Sequence, residues 1–126
     1  MKKVLLSQGE WKLMNLLWNK SPLTIRDMVS ALKEDTAWSK ATVNIMLNRL
    51  AEKGAIQIDV SQRQKQMTPV LTREDAVRTE ARQTLEKIQT NGIGLLLSTM
   101  VQDCKLSEEE LGELYHILDG IKDDDG

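Results

Sequence analysis

Apolar residues recur at helical spacing in three short segments near the start of the chain, residues 7–18, 24–32 and 39–53. Each segment begins with Ser or Thr, whose side chain can accept a hydrogen bond from the first turn of a helix. The first two also carry an acid three residues later, which completes a capping box, and Gly54 is a typical C-terminal stop. The pattern predicts three helices, of which the second is only about ten residues long.

The inward faces of these helices predict a core made mainly of aliphatic and Met side chains. The chain has no Phe and only one Tyr, so Leu, Ile, Val, Met and Ala must supply most of the buried volume. The positions predicted to face inward are Trp11, Met14 and Trp18, with Leu13 and Leu17 beside them, then Ile25, Met28, Val29 and Leu32, and finally Val43, Met46, Leu47 and Leu50.

After the third helix the apolar pattern changes from helical spacing to alternation. Ile56, Ile58 and Val60 alternate with polar residues, and a second extended segment follows at about 67–71. Two such segments joined by a polar stretch predict a β-hairpin. The predicted fold class is therefore mainly α with a small β-hairpin wing, a winged helix-turn-helix domain in residues 1–71 that is followed by a C-terminal helical region.

Residues 72–122 are predicted to form this helical region. Thr72 begins a long fourth helix, a short apolar segment spans 93–101, and Ser107 begins a last helix. The acidic residues 123–126 are predicted to form a disordered tail.

The apolar stripes of the helical region admit two interpretations. They could extend the core of the first domain, or they could pack against a second copy of the chain. We favour a homodimer, because an apolar stripe on a helix that leaves its domain generally needs a partner to cover it. The predicted dimerisation residues are Val77, Leu85, Ile88, Leu96, Met100, Leu111, Leu114, Tyr115 and Leu118.

The charge of the chain is distributed unevenly. Although the net charge is −2, residues 1–71 carry 11 Lys or Arg against 6 Asp or Glu, a net charge of +5, whereas residues 72–126 carry 6 against 13, a net charge of −7. The segment 36–51 contains neither Asp nor Glu. A basic first domain whose third helix has no acid before Glu52 favours a polyanionic partner, in particular double-stranded operator DNA.

The third helix is the expected recognition helix, because the second helix of a helix-turn-helix motif enters the major groove with its N-terminal residues. Asn side chains can make bidentate contacts with adenine, Ile45 can lie against a thymine methyl group, and Lys40 can meet guanine or a phosphate. Arg63 and Lys65 at the hairpin tip can contact phosphates or a minor groove. The predicted DNA-binding residues are Ser39, Lys40, Ala41, Thr42, Asn44, Ile45, Asn48, Arg49, Arg63 and Lys65.

Few residues offer enzyme, metal or membrane chemistry. Cys104 and His116 are the single Cys and His of the chain, so neither a disulfide nor a Cys-rich or His-rich metal site is expected. The sequence has no Gly-rich phosphate loop and no nucleophile elbow. The apolar run in the opening MKKVLL is too short for a signal peptide, and no stretch approaches a membrane span. We therefore expect a cytoplasmic, non-enzymatic protein with no cofactor, no metal and no direct membrane binding.

The segments SQGEWKLMNLLW and AWSKATVNIMLNRLAEKGAI, followed by a hairpin that ends near Pro69, resemble the penicillinase-repressor family of the BlaI, MecI and CopY types. The resemblance covers nearly the whole chain. It implies a homodimeric winged-helix repressor of genes for β-lactam resistance, copper homeostasis or related stress responses. By position it implies DNA contacts for Thr42, Arg49 and Arg63. The most specific similarities are Glu10-Trp11 with Trp18, Trp38-Ser39 with Thr42, and Asn48-Arg49-Leu50 through Lys53-Gly54-Ala55.

The start of the third helix departs from the family pattern. Lys40 and Ala41 stand where the β-lactam members usually have Pro and Lys after the capping Ser, and Ile45 stands where they have Thr. The operator is therefore expected to differ from the TACA/TGTA type that the resemblance implies.

The wing and the region that is cleaved in the β-lactam repressors also depart from the family pattern. Lys65 and Met67 replace Tyr residues usual in the wing, and Gln62 replaces a Gly. In the β-lactam repressors a membrane sensor-protease pathway leads to cleavage of an Asn-Phe bond, and the aligned pair here is Thr99-Met100. Cys104 alone cannot form the paired Cys-x-Cys motifs of copper-responsive members. A sensor-protease pathway is thus a candidate partner only, and the regulated genes and the inducing signal are not predicted.

Two functional hypotheses follow from the residues. The favoured one is a dimeric repressor that binds a palindromic operator through helix 3 and the wing and excludes polymerase sterically. The alternative is a winged-helix protein-interaction module without sequence-specific DNA binding, for which charge reversal at Lys40 or Arg49 would have no consequence for its binding. An enzymatic function lacks a supporting constellation of residues.

Overall fold

The computed structural model describes residues 4–88, 92–103 and 106–124, with side chains as far as residue 117. Two compact units divide the chain, Met1–Thr84 and Leu85–Gly126. The described elements are helices α1 (Gln8–Asn19), α2 (Ile25–Ala31) and α3 (Lys40–Glu52), strands β1 (Ile56–Asp59) and β2 (Gln66–Pro69), and helices α4 (Arg73–Ile88), α5 (Ile93–Asp103) and α6 (Glu108–Asp124).

Reciprocal hydrogen bonds between residues three positions apart cap the starts of the first two helices. Ser7 and Glu10 exchange hydrogen bonds between backbone and side chain at 2.8 and 3.2 Å, and Thr24 and Asp27 do so at 3.1 Å in both directions. Ser39 caps α3 without an acidic partner. All three predicted helix starts are confirmed, because each one depends only on residues within a single turn.

The core of the first unit lies where the three helices meet the hairpin. Trp11 and Trp18 were predicted to lie inside this core but are half-buried at its edge, with their ring centroids 5.8 Å apart in an edge-to-face arrangement. At the edge, the Trp18 indole N–H can donate to the Leu71 carbonyl at 2.8 Å, a partner that a purely apolar interior would not offer. The buried core residues are Val4, Leu13, Met14, Leu17, Met28, Leu32, Val43, Leu47, Leu50, Ala55, Ile56 and Met67.

Helix α2 has seven residues and is shorter than predicted. Leu32 already leaves helical geometry, with φ −101° and ψ 7°, and its carbonyl accepts a hydrogen bond from Thr36 Oγ1 at 3.1 Å. The chain then passes through Ala37 at φ 54°, a left-handed conformation that few non-glycine residues adopt. This turn joins α2 to α3 and completes the helix-turn-helix.

Strands β1 and β2 form an antiparallel hairpin in which Ile56 pairs with Pro69. Both strands are shorter at their ends than predicted, because Val60 lies beyond β1 and is 69% exposed, while β2 ends at Pro69 rather than Leu71. Pro69 has no N–H with which to continue the ladder. The amide of Leu71 instead donates to the Ala55 carbonyl at 3.0 Å.

A further chain segment pairs with the hairpin, which the alternation of apolar residues did not predict. The amide of Leu23 donates to the Met67 carbonyl at 3.1 Å, and the amide of Met67 donates to the Leu23 carbonyl at 2.8 Å. This isolated bridge connects the wing to the segment between α1 and α2, and so it fixes the hairpin relative to the helix-turn-helix.

Helix α4 begins at the predicted cap, with Asp75 N donating to Thr72 Oγ1 at 3.1 Å. Ala76, in its first turns, is only 2% exposed, which places the start of α4 against the first unit. The first compact unit accordingly extends to Thr84, past the predicted domain boundary at residue 71.

The second unit contains the end of α4 together with α5 and α6. Glu110 N donates to Ser107 Oγ at 3.1 Å, which confirms the predicted capping box of α6. This helix continues to Asp124 and thus includes the first two positions of the predicted tail 123–126. Helical backbone hydrogen bonds do not require apolar side chains, so an acidic segment can continue the helix. Outside the described residues lie Cys104, the side chain of Leu118, and residues 125–126.

Candidate nucleic-acid interface

Helix α3 buries one face in the core and exposes the other. Val43, Leu47 and Leu50 are at most 1% exposed, as predicted. On the outer face Ile45 is 54% exposed, an aliphatic side chain without cover, whereas Asn44 is half-buried between the two faces. The other predicted α3 residues of the DNA-binding set are all exposed: Ser39, Lys40, Ala41, Thr42, Asn48 and Arg49.

The first turn of α3 is polar and contains no acidic side chain. Ser39 Oγ accepts a hydrogen bond from Thr42 N at 3.2 Å, and the two hydroxyl oxygens are 3.1 Å apart. An exposed helix start with hydroxyl groups and a nearby Lys40 suits an anionic partner, because the helix dipole and the free amides of the first turn favour negative charge there.

The wing meets the start of α3 along an open groove of about 460 Å³. Lys65 of the hairpin lines this groove together with Lys40, and Asn44 lies along it. The fold therefore brings together two predicted DNA-binding segments that are separated in sequence. Arg63 is exposed on the same hairpin but does not line the groove. The complete lining is Thr24, Ile25, Arg26, Lys40, Ala41, Asn44, Gln64 and Lys65.

Four of these lining residues are absent from the predicted DNA-binding set: Thr24 and Ile25, which were predicted as the cap and the inward face of the second helix, and Arg26 and Gln64, to which the sequence assigned no role. Arg26 belongs to the short helix α2, and Gln64 belongs to the turn of the wing. Neither Arg26 nor Gln64 belongs to a sequence motif, and a single Arg on a solvent-exposed helix face produces no periodic pattern. Arg26 adds a third cation to the groove beside Lys40 and Lys65. Within the described ranges, none of these three cations is within ion-pair distance of a carboxylate.

The C-terminal end of α3 is held in place by a buried carboxylate on α1. Lys53 Nζ donates to Glu10 Oε1 at 2.6 Å and to the Leu5 carbonyl at 2.9 Å, while Ser7 N donates to the same Glu10 oxygen at 2.8 Å. Glu10 is only 3% exposed. Burial raises the pKa of Glu10, but the hydrogen bonds and the charge of Lys53, together with Ser7, outweigh burial and leave the pKa below its ordinary value of 4.5.

These observations define the class of the protein. A helix-turn-helix whose second helix has an exposed outer face with no acid before Glu52, and a basic β-hairpin beside its start, is a winged helix-turn-helix, an architecture of DNA-binding proteins. The sequence profile of the family described as "Penicillinase repressor" matches residues 6–120. The chain belongs to this family.

Relatives and solved structures agree with this assignment. The chain is 28% identical over 123 residues to the penicillinase repressor of Bacillus licheniformis, a match that covers 97% of this chain and 96% of the relative. It is 25% identical over 113 residues to the methicillin resistance regulatory protein MecI of Staphylococcus aureus strain N315, covering 90% and 92%. The solution structure of the DNA-binding domain of the repressor BlaI is similar with a TM-score of 0.52 and 30% identity, over 60% of this chain and 93% of that one.

A second solved structure is the monomeric form of Bacillus licheniformis BlaI in complex with the blaP half-operator. It is similar with a TM-score of 0.51 and 28% identity, over 59% of this chain and 90% of that chain.

Two further structural facts bear on the class of site. Among the helices that the structure describes, none is both long enough and apolar enough to cross a membrane. Nor do the described His, Asp and Glu residues form a group of three or more that could hold a metal ion.

Proposed function

We propose that this protein is a dimeric transcriptional repressor that acts in the cytoplasm and binds operator DNA through α3 and the wing, without catalysing a reaction. The observation that carries the proposal is the exposed outer face of α3, which has no acid before Glu52 in its last turn and at whose start Lys40 of the helix and Lys65 of the wing line one groove. Membership of a repressor family and the likeness to BlaI on a half-operator support it.

The exposed residues of α3 divide into two roles in this proposal. Asn44, Asn48 and Ile45 read base edges, since amides pair with adenine and an exposed aliphatic group can cover a thymine methyl. Arg49 and the wing cations contact phosphates and position the helix, and such contacts carry no sequence information directly. Specificity therefore depends on few residues, whereas affinity depends on many.

The exposed apolar residues of the helical region support a homodimer. Val77, Leu85, Met100 and Tyr115 are between 43% and 67% exposed in the single chain, and apolar side chains exposed along helices generally need a partner to cover them. A symmetric dimer presents two copies of α3 to two half-sites related by its axis, which is why the operator should be palindromic. The half-buried members of the predicted set are Ile88, Leu96, Leu111 and Leu114.

Proteolytic induction through a sensor-protease pathway would have to open a helix. The Thr99-Met100 bond lies inside α5, and Thr99 Oγ1 donates to the Leu95 carbonyl at 2.7 Å. Proteases cleave preferentially at exposed chain segments that open locally. Release of DNA by cleavage at this bond would therefore require α5 to unwind first.

Fluorescence anisotropy tests the proposed function directly. The protein is titrated into its own upstream promoter fragment and into a shuffled control duplex at several salt concentrations. We expect a preference for the promoter of about a thousandfold or more and an affinity that falls steeply as salt rises. Equal, weak binding to both duplexes would favour the protein-interaction module. Charge reversal at Lys40 would then leave the binding of this module to its protein partner unchanged.

Substitutions at Arg49 and Asn44 should have different effects. Arg49→Gln should weaken binding to promoter and shuffled duplex alike and lower the salt slope by about one for each subunit bound. Asn44→Ala should mainly relax the base preference at one position of each half-site, at a cost of about 1–3 kcal/mol for the correct base. Anisotropy on a set of single-base operator variants separates the two effects.

A matched control for Arg49→Gln is Lys20→Gln, which removes one positive charge from an exposed position outside both α3 and the wing. Because Asn44 is half-buried, the thermal midpoint of its variant must also be measured. Equal losses on all sequences for both α3 variants would contradict the division of roles between base and phosphate contacts.

A further inference from the structure

The start of α4 is tied to the end of α1 by the side chain of Arg73, the first residue of α4. Its guanidinium carbon lies 5.5 Å from the centroid of the Trp18 ring, and its Nη2 donates to Asn19 Oδ1 at 3.0 Å. One cation therefore contacts an aromatic ring and an amide oxygen on two adjacent residues of α1. We call Trp18, Asn19 and Arg73 the α1–α4 clamp.

The α1 side of the clamp is held in place before Arg73 reaches it. Trp18 packs against the core cluster and stands edge-to-face to Trp11. Its indole N–H donates to the Leu71 carbonyl at 2.8 Å, two residues before Arg73. The amide of Leu71 in turn donates to the Ala55 carbonyl at 3.0 Å. The guanidinium of Arg73 therefore meets a ring whose position is already fixed by other contacts.

The position of Arg73 does not favour a cation for the sake of the helix. The free amides in the first turn of a helix carry partial positive charge, so an acid stabilises that turn and a base does not. Neighbouring acids do not compensate, since Glu74 is paired with Arg78 at 2.6 Å and Arg73 has no ion pair within the described ranges. The contacts with Trp18 and Asn19 therefore account for an Arg at this position.

We propose that Arg73 is a positioning residue, whose clamp on Trp18 and Asn19 holds α4 in one direction on the first unit and so restricts the half-site spacing that a dimer can bridge. The inference rests on the proposed function, because it requires a dimer on an operator with two half-sites. Val77, a predicted dimer contact, lies four residues after Arg73 on the same face of α4 and is 50% exposed. A change in the direction of α4 would therefore move this contact relative to α3.

Operators of altered spacing test the clamp. Each base pair inserted between the half-sites moves one of them by about 3.4 Å and turns it by about 35°. The wild type should lose about tenfold in affinity when one base pair is inserted into or removed from its own operator. Arg73→Met should bind the natural spacing about two- to fivefold more weakly, the range of an exposed cation–π contact, but should lose less than about threefold on the altered spacings. Binding to an isolated half-site should be equal for both proteins.

Matched variants separate the clamp from charge and helix stability. Arg82→Met removes the same charged group from an exposed position of α4 outside the clamp, and it should leave the dependence on spacing unchanged. Asn19→Ala removes the hydrogen-bond acceptor of the clamp and should broaden the range of tolerated spacings in the same direction as Arg73→Met. Asn15→Ala, one turn earlier on α1 and also exposed, should not. Thermal midpoints of all variants are compared with that of the wild type.

Hydrogen exchange in the free protein examines the same clamp without DNA. The amide of Ala76, in the first turns of α4, donates to the Thr72 carbonyl at 3.1 Å. Arg73→Met should speed the exchange of this amide by about two- to fivefold, because the first turn of α4 opens more often once the clamp is lost. An exchange rate equal to that of the wild type would show that Arg73 does not hold α4.

The outcomes distinguish failure of the clamp from failure of the proposed function. If the wild type prefers its promoter but Arg73→Met keeps the wild-type dependence on spacing, the clamp does not set the spacing and the proposed function stands. If Arg73→Met loses affinity for the isolated half-site with a lower salt slope, and Arg73→Lys regains both, Arg73 is a phosphate contact and the inference is overturned. If the wild type binds neither the promoter nor the shuffled duplex, the proposed function fails and this inference fails with it.

Discussion

Replacing Leu114 by Asp should separate the dimer into monomers and lower the affinity for a two-half-site operator by about a hundredfold or more. Leu114 is half-buried on α6 and belongs to the apolar set predicted to meet a second copy. A carboxylate at that position would be buried without a partner, which costs several kcal/mol. Light scattering should then report a mass of 14.3 kDa instead of twice that value.

His116→Asp is the matched control for this substitution. His116 is exposed on the same helix, about 200° around its axis from Leu114, so the same charge should be tolerated there. Binding to an isolated half-site should be equal for the wild type and both variants, since α3 is unchanged. An intact Leu114→Asp dimer would place the interface elsewhere on the helical region.

Replacing Lys53 by Met should lower the free energy of unfolding by about 3 kcal/mol, the largest stability effect that we expect from a single substitution outside the apolar core. The carboxylate of Glu10 would stay buried. It would keep the hydrogen bond from the amide of Ser7 but lose the ammonium group of Lys53, whose Nζ lies 2.6 Å away in the wild type. The variant Glu10→Gln/Lys53→Met should be less destabilised than Lys53→Met alone, because a neutral amide is less costly to bury than an unpaired charge.

The pH dependence of stability should change sign with this substitution. In the wild type the pKa of Glu10 lies below 4.5, so the stabilisation is present above that pH and is lost as the pH falls through the folded-state pKa. Without Lys53, burial should raise the pKa of Glu10. The free energy of unfolding that Lys53→Met loses relative to the wild type should therefore grow as the pH rises through that raised value. Urea unfolding followed by Trp fluorescence at pH 4 and pH 7 measures the effect. A deficit of equal size at both pH values would show that Glu10 and Lys53 are not coupled.

Helix α3 shows how much of the candidate site could be predicted from the sequence. The cap at Ser39, the stop at Gly54 and the inward spacing of Val43, Leu47 and Leu50 predicted both its bounds and its outer face. These features depend on a period of 3.6 residues and on hydrogen bonds within one turn, so they are encoded locally.

The basic groove beside that helix could not be predicted from the sequence in the same way. Arg26 and Lys65 are far apart in sequence, and they line one groove only because the chain turns at Ala37 and the hairpin is bridged to Leu23. No pattern within either segment records this proximity. The wing was therefore predicted as a separate cationic turn rather than as one wall of a groove on α3.

The sequence by itself determined the elements of this protein: the starts of its helices, the alternation of the hairpin and the division into a basic first part and an acidic second part. The tertiary structure alone decided which distant groups meet. The ion pair between Glu10 and Lys53 joins residues 43 positions apart, and the indole of Trp18 donates to a carbonyl 53 positions away. The physical reason is the range of the forces involved, because capping and periodicity act within a turn, whereas these contacts form only when apolar burial brings remote segments together.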